Sequence, residues 1–103
     1  MKFNPYNKYH NKSTIVNGIR FSSKKEAKRY QDLKLLEENG DIKDLKLQSR
    51  FNFPMGVFYK GDFSYLENGK LIVEDVKGVK TAVFILKIKC FKYFYPDIEL
   101  RIT

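Results

Sequence analysis

Apolar and polar positions change period along the chain, and each change marks an element. Asn17-Gly18 stands between Ile15-Val16 and Ile19-Arg20. That pair supplies the two positive-φ residues of a type I′ turn, so Ser13 to Phe21 is expected to form a short hairpin. Beyond it the period lengthens: Glu26, Tyr30 and Leu33 recur at i, i+4 and i+7 and stack on one helical face. Ser23 with Glu26 fits a capping box and Gly40 a C-terminal stop, which places this helix over about Lys24 to Asn39. Glu26 thus shares a stripe with apolar residues. Two readings stand: its carboxylate closes the capping box, or it points toward a buried or metal-bearing centre.

Farther on, the pattern turns to period two. Asp41 to Gln48 alternates Ile42, Leu45 and Leu47 with charged positions, though imperfectly, and is a strand candidate. Phe51 to Gly56 is expected to contain a loop, because Pro54 cannot donate to a ladder and Gly56 weakens one. Val57 to Leu66 and Leu71 to Val76 read as strands around Glu67-Asn68-Gly69-Lys70. Thr81 to Tyr95 is rich in β-branched and aromatic residues, yet its length and lysines suit a helix capped by Thr81 and ended by Pro96. Asp97 to Thr103, with Ile98, Leu100 and Ile102 on one face, reads as a final strand. There is no internal repeat and no low-complexity tract.

Composition narrows the partners. The 103 residues suit one domain, and 43% apolar with 16% aromatic residues suffices for a core. A net charge of +8 should draw the chain to polyanions, nucleic acid first. An anionic membrane surface would also attract it, but no apolar run approaches the ~20 residues that span a bilayer. The Met1 region lacks the apolar core of a signal peptide, so a soluble, cytoplasmic protein is expected. Cys90 is a lone cysteine, which excludes an internal disulfide and a cysteine zinc cluster. Residues 1–12 interleave Lys2, Lys8, Lys12 and His10 with Phe3, Tyr6 and Tyr9. They read either as an arm that meets phosphates and bases or as a solvated terminus, ahead of a domain over residues 13–103.

The most informative step is the pairing that follows from an Asn68-Gly69 turn. With those two residues as a type I′ loop, Glu67 faces Lys70, Leu66 faces Leu71, Tyr65 faces Ile72, and Asp62 comes to face Asp75. Opposed residues hold their Cβ atoms roughly 4.5–5.5 Å apart, so like charges there are destabilising. A divalent cation is the simplest compensation, since two hard carboxylates suit Mg²⁺ or Mn²⁺. Lys77 lies two residues beyond Asp75 and shares its face. Such a trio fits phosphodiester hydrolysis, in which a metal activates water and offsets the charge developing at phosphorus. The alternative is a pair of solvated aspartates with Lys77 as a surface ion-pair partner of little value. The apolar strands around these charges, and an acidic spot on a basic chain, favour the first reading.

Helical Glu26 in Phe21-Ser22-Ser23-Lys24-Lys25-Glu26-Ala27, then Asp62 in Asp62-Phe63-Ser64-Tyr65, then Asp75-x-Lys77 in Val73-Glu74-Asp75-Val76-Lys77-Gly78 resembles the PD-(D/E)XK nuclease superfamily. The resemblance is closest to small phage-encoded members of a domain-of-unknown-function family, similar to Holliday junction resolvases and transposon end-cleaving endonucleases. It covers roughly Asn7 to Ile102. It implies an α/β fold, a central mixed β-sheet flanked by helices with a restriction-endonuclease-like αβββαβ core, and Mg²⁺-dependent DNA cleavage. It also implies that Asp62 and Asp75 are metal ligands, Glu26 an auxiliary ligand or water positioner, and Lys77 the signature lysine. The chain departs in carrying Gly61 where the superfamily name has proline. A one-residue change of register would put Glu74 in place of Asp75, and sharing a face with Lys77 favours Asp75.

The expected function is therefore a metal-dependent DNA endonuclease of phage or prophage origin, structure-specific toward branched or junction DNA. Lys2, Lys8, Lys12, Lys80 and Lys87, with the rest of the run to Lys92, are expected to supply DNA affinity rather than chemistry. A homodimer would supply two active sites for two strands. Competing readings are a noncatalytic nucleic-acid-binding module and a small adaptor that binds a protein through exposed aromatics.

Overall fold

The structure is a computed structural model and describes residues 13–76 and 80–103. Its elements run β1 (Thr14–Val16), β2 (Ile19–Phe21), α1 (Lys24–Glu38), β3 (Lys43–Asn52), β4 (Phe58–Glu67), β5 (Lys70–Asp75), α2 (Ala82–Phe94) and β6 (Glu99–Ile102). From α1 onward this is the expected αβββαβ order, in an α/β fold. The strands form a two-stranded sheet, β1-β2, and a four-stranded sheet ordered β3-β4-β5-β6. β3, β4 and β5 pair antiparallel, whereas β5 and β6 are parallel. A parallel pair needs a crossover, and α2 is that crossover.

Local chemistry explains the boundaries. Asn17 and Gly18 take φ of 52° and 78°, and Asn68 and Gly69 take 53° and 78°, the left-handed pairs a type I′ turn requires. α1 starts at Ser23, whose hydroxyl accepts the Glu26 N–H at 3.1 Å, and stops at Asn39 and Gly40, the glycine with φ 86°. α2 is a helix capped by the Thr81 hydroxyl on the Phe84 N–H, so the β-rich composition of this stretch yields to its length and caps.

The helices cover opposite faces of the sheet. α1 buries Ala27, Tyr30 and Leu33 with Phe21, Ile42, Phe63, Tyr65 and Ile72. α2 buries Phe84 and Phe91 with Phe53, Tyr59 and Val73. On β5, period two sends Ile72 to the first core and Val73 to the second.

β3 departs from the expected strand and loop. It runs on through Phe51 and Asn52, which pair with Tyr59 and Phe58, so only the short 3₁₀ turn Pro54–Gly56 and its flanks connect it to β4. Phe51 meets the Phe91 ring edge-on at 5.0 Å, and this contact holds it in the sheet. The imperfect alternation has a cause as well: the register shifts between Lys43 and Lys46, where Asp44 takes φ 55°. A second left-handed residue, Gln48 (φ 55°), breaks the alternation again. Leu47 packs on the α1 core, yet Phe51, of the same parity, packs on the α2 core. On the paired strand the same exchange separates Phe63 from Tyr59. Asp62 lies at that crossing.

Candidate metal centre

The hairpin arithmetic holds in the structure. Glu67 pairs with Lys70, Leu66 with Leu71, Tyr65 with Ile72, and Phe63 with Glu74. The next step along each strand sets Asp62 beside Asp75. The Asp75 carboxyl acts on that of Asp62, which accepts the Val76 N–H at 2.8 Å. A longer contact, 3.4 Å, comes from the Gln48 amide. Asp75, only 1% exposed, accepts the Tyr59 hydroxyl at 2.7 Å. Burial first, then the Asp75 carboxyl, pushes the Asp62 carboxyl from its ordinary value near 3.8 to about 7, against the opposing pull of the Val76 N–H.

Gly61 has a packing reason to stand where the superfamily name has proline. A Cβ at that position would lie 2.5 Å from Val73 Cγ1 and 3.8 Å from the Glu74 carbonyl oxygen. A side chain there would force the Val73 side chain to shift, next to the aspartates.

Glu26 is buried at 6% exposure in the first turn of α1, where the positive end of the helix dipole favours an acid. Its carboxylate accepts the Ser22 hydroxyl at 2.7 Å, so only the Ser23 half of the expected capping box describes its position. It lines a cleft of about 320 Å³ together with Asp62, Gln48, Arg20 and the apolar walls Phe21 and Leu47. Its charge adds to the upward push on Asp62. Asp62 thus feels both Asp75 and Glu26. Among the described residues, however, no three acidic, His or Cys side chains converge tightly enough to cage an ion. The donor set is the aspartate pair with Glu26 at one remove. That suits Mg²⁺, which binds through one or two carboxylates and keeps several waters.

Glu74 faces the other way. Fully buried, it receives both Nε and Nη2 of Arg29 from α1, the latter at 2.9 Å, and the Tyr65 hydroxyl at 2.7 Å. Its carboxylate holds the Arg29 guanidinium above its ordinary value, and burial first, then the same carboxylate, raises the Tyr65 hydroxyl to about 12. The register question is answered in favour of Asp75 as the partner of Asp62.

Lys77 lies outside the described residues, as do Lys2, Lys8 and Lys12. Lys80 is exposed just before α2. Lys87 is half-buried, its ammonium 5.2 Å from the centre of the Phe58 ring, which Arg50 also covers at 3.8 Å. Sequence reasoning missed Tyr59, Gln48 and Arg29. Arg29 meets a carboxylate 45 residues away, and the placement of Tyr59 and Gln48 depends on the strand crossing, so no local signal marks any of them.

No curated protein and no solved structure is matched in comparison with this chain. A family model described as "Protein of unknown function (DUF1064)" matches residues 6–103, nearly the whole length, and the chain belongs to that family.

Proposed function

We propose that this protein is a metal-dependent endonuclease that hydrolyses DNA phosphodiester bonds. The observation that carries the reading is the placement of Asp62 beside Asp75: a half-buried and a fully buried carboxyl on adjacent strands, on a chain of net charge +8. An acidic pair is costly in a fold unless a cation or proton resolves it, and a net positive chain draws in a polyanion. The resemblance of Glu26, Asp62 and Asp75-x-Lys77 to the PD-(D/E)XK pattern supports the same chemistry.

In this reading Asp62 and Asp75 hold Mg²⁺ or Mn²⁺, which when bound activates water and offsets charge at phosphorus. The chain fixes both ligands: the Val76 N–H orients one carboxyl of the pair and the Tyr59 hydroxyl the other. Glu26, oriented by Ser22, accepts a hydrogen bond from water in the cleft. Lys77 neutralises the phosphate. Cutting both strands of a duplex or junction requires a second copy. Among the described residues no helix is long and apolar enough to cross a membrane.

The test is incubation of the purified chain with linear, nicked, single-stranded and four-way-junction DNA, in Mg²⁺, Mn²⁺ or EDTA. Cleavage is expected with either cation and none in EDTA. Binding without cleavage in every cation would replace the enzyme with a noncatalytic binding module. Absence of both would remove nucleic acid as the partner.

A further inference from the structure

The chain has four arginines, and the structure sorts them. Arg29 is held by Glu74, and Arg101 by Glu67 at 2.7 Å and Glu99 at 2.6 Å. Arg50 lies over the Phe58 ring and donates to Asn52. Arg20 differs. It lines the same cleft as Glu26 and Asp62, yet among the described residues its guanidinium makes one hydrogen bond, Nη1 to the Ser13 hydroxyl at 3.1 Å, and no ion pair. The two acids of the cleft are engaged elsewhere, Glu26 by Ser22 and Asp62 by the Val76 N–H. A cation in an acidic cleft that neither acid consumes is free for an anion.

We infer that Arg20 is the phosphate-binding group of this cleft, holding the substrate's non-bridging oxygens in the space it shares with Glu26 and Asp62; the catalytic part rests on the phosphodiesterase reading. A phosphodiester entering a space walled by carboxylates is repelled unless a fixed positive charge meets it. A planar guanidinium presents paired N–H donors matched to two phosphate oxygens. Its backbone is anchored, since Arg20 pairs with Ile15 across the β1-β2 hairpin and its neighbour Phe21 is buried in the α1 core, while its side chain is exposed to an incoming ligand. Phe21 and Leu47 wall the cleft with apolar surface, which strengthens charge interactions inside it. At about 320 Å³ the cleft falls at the small end of ligand pockets, which begin near ~300 Å³. The inference also gives the separate two-stranded sheet a role, as the arm that presents Arg20.

The experiment compares the full-length wild type with Arg20→Ala and Arg20→Lys, each checked for folding by thermal unfolding. Affinity for a fluorescein-labelled DNA duplex is first measured without divalent cation as a function of salt. Loss of one phosphate contact lowers the salt slope by about one in Arg20→Ala, and Arg20→Lys keeps the slope. With Mg²⁺, turnover by Arg20→Ala falls by about 10²–10³-fold. Arg20→Lys is also slowed, since an ammonium cannot span two oxygens, and added guanidinium ion restores part of the Arg20→Ala loss. An unchanged slope with unchanged turnover overturns the assignment and leaves the nuclease reading intact. A wild type that cuts nothing, while Arg20→Ala still loses one unit of slope, keeps the phosphate contact and removes the catalytic reading. Should Arg20→Ala not fold, Arg20→Lys decides: turnover equal to wild type overturns the proposal.

Discussion

Glu74 and Asp75 are consecutive residues of one strand, both buried, and the fold treats them in opposite ways. Glu74 faces α1 and meets a guanidinium and a phenol hydroxyl, so every neighbour stabilises its charge. Asp75 faces the other way, where a second carboxyl, that of Asp62, joins the Tyr59 hydroxyl as its neighbour. A buried acid matched with a cation holds a helix to a sheet. A buried acid set beside another acid raises its neighbour's carboxyl instead. Under the proposed function that contrast separates a structural acid from a catalytic one within one dipeptide, and substitutions on either side can break it.

The largest expected effect is on Asp75. Asp75→Asn keeps the shape and removes a hard charged ligand, so metal-dependent cleavage is abolished while DNA affinity is kept or improved, because one repulsive charge is gone. Cleavage assays and binding titrations run on the same preparation check both halves. Glu74 answers through stability instead. Arg29→Ala leaves the Glu74 carboxylate buried without its cation and should cost about 3–5 kcal/mol in urea unfolding. A mild loss in Arg29→Ala would mean that the Glu74 side of the strand is no more committed to structure than the Asp75 side.

The two sides were not equally legible. The α1 boundaries, both Asn-Gly turns and the opposition of Asp62 to Asp75 could be read because each rests on local signals: capping hydroxyls, left-handed turn pairs, and an unbroken register from turn to aspartate. Gln48 and Asp44 also take left-handed backbone, yet neither residue type announces it in a strand. Their effects, the bulge in β3 and the exchange of faces near Asp62, were therefore hidden. Tyr59 reaches Asp75 only because of that exchange. The Glu74–Arg29 pair joins residues far apart in sequence, and a lone Arg on a helix carries no sign of which carboxylate it will meet. Lys77, the remaining member of the expected constellation, lies outside the described residues.

A smaller effect probes how the functional side is held. Tyr59→Phe removes the hydroxyl from Asp75 but keeps the ring against Phe91, at 5.4 Å between centroids. Loss of an orienting hydrogen bond on a metal ligand typically costs 10–100-fold in metal affinity or activity, so the Mg²⁺ concentration for half-maximal turnover should rise with little change in melting temperature. If the variant instead loses stability as heavily as Arg29→Ala, Tyr59 belongs with the structural face.

The smallest effect is the pH dependence of stability in the absence of metal. Folding raises the Asp62 carboxyl from its ordinary value near 3.8 to about 7, through burial and the Asp75 carboxyl. A group raised in this way favours its protonated form in the fold. Its contribution is complete below about pH 4 and is lost as pH rises through about 7, the reverse of an acid stabilised by a cation. In EDTA the melting temperature should therefore decline from pH 4 toward pH 8, with Asp62 partly solvated and the slope modest. Asp62→Asn, fixed in the neutral form, should flatten the profile. Mg²⁺ should raise the wild-type melting temperature at pH 8 and leave it unchanged at pH 4, because a cation that binds only the folded chain takes the place of the proton. A wild-type profile as flat as that of Asp62→Asn would mean that the two aspartates do not crowd each other, and the difference between the two sides of β5 would rest on Arg29 alone.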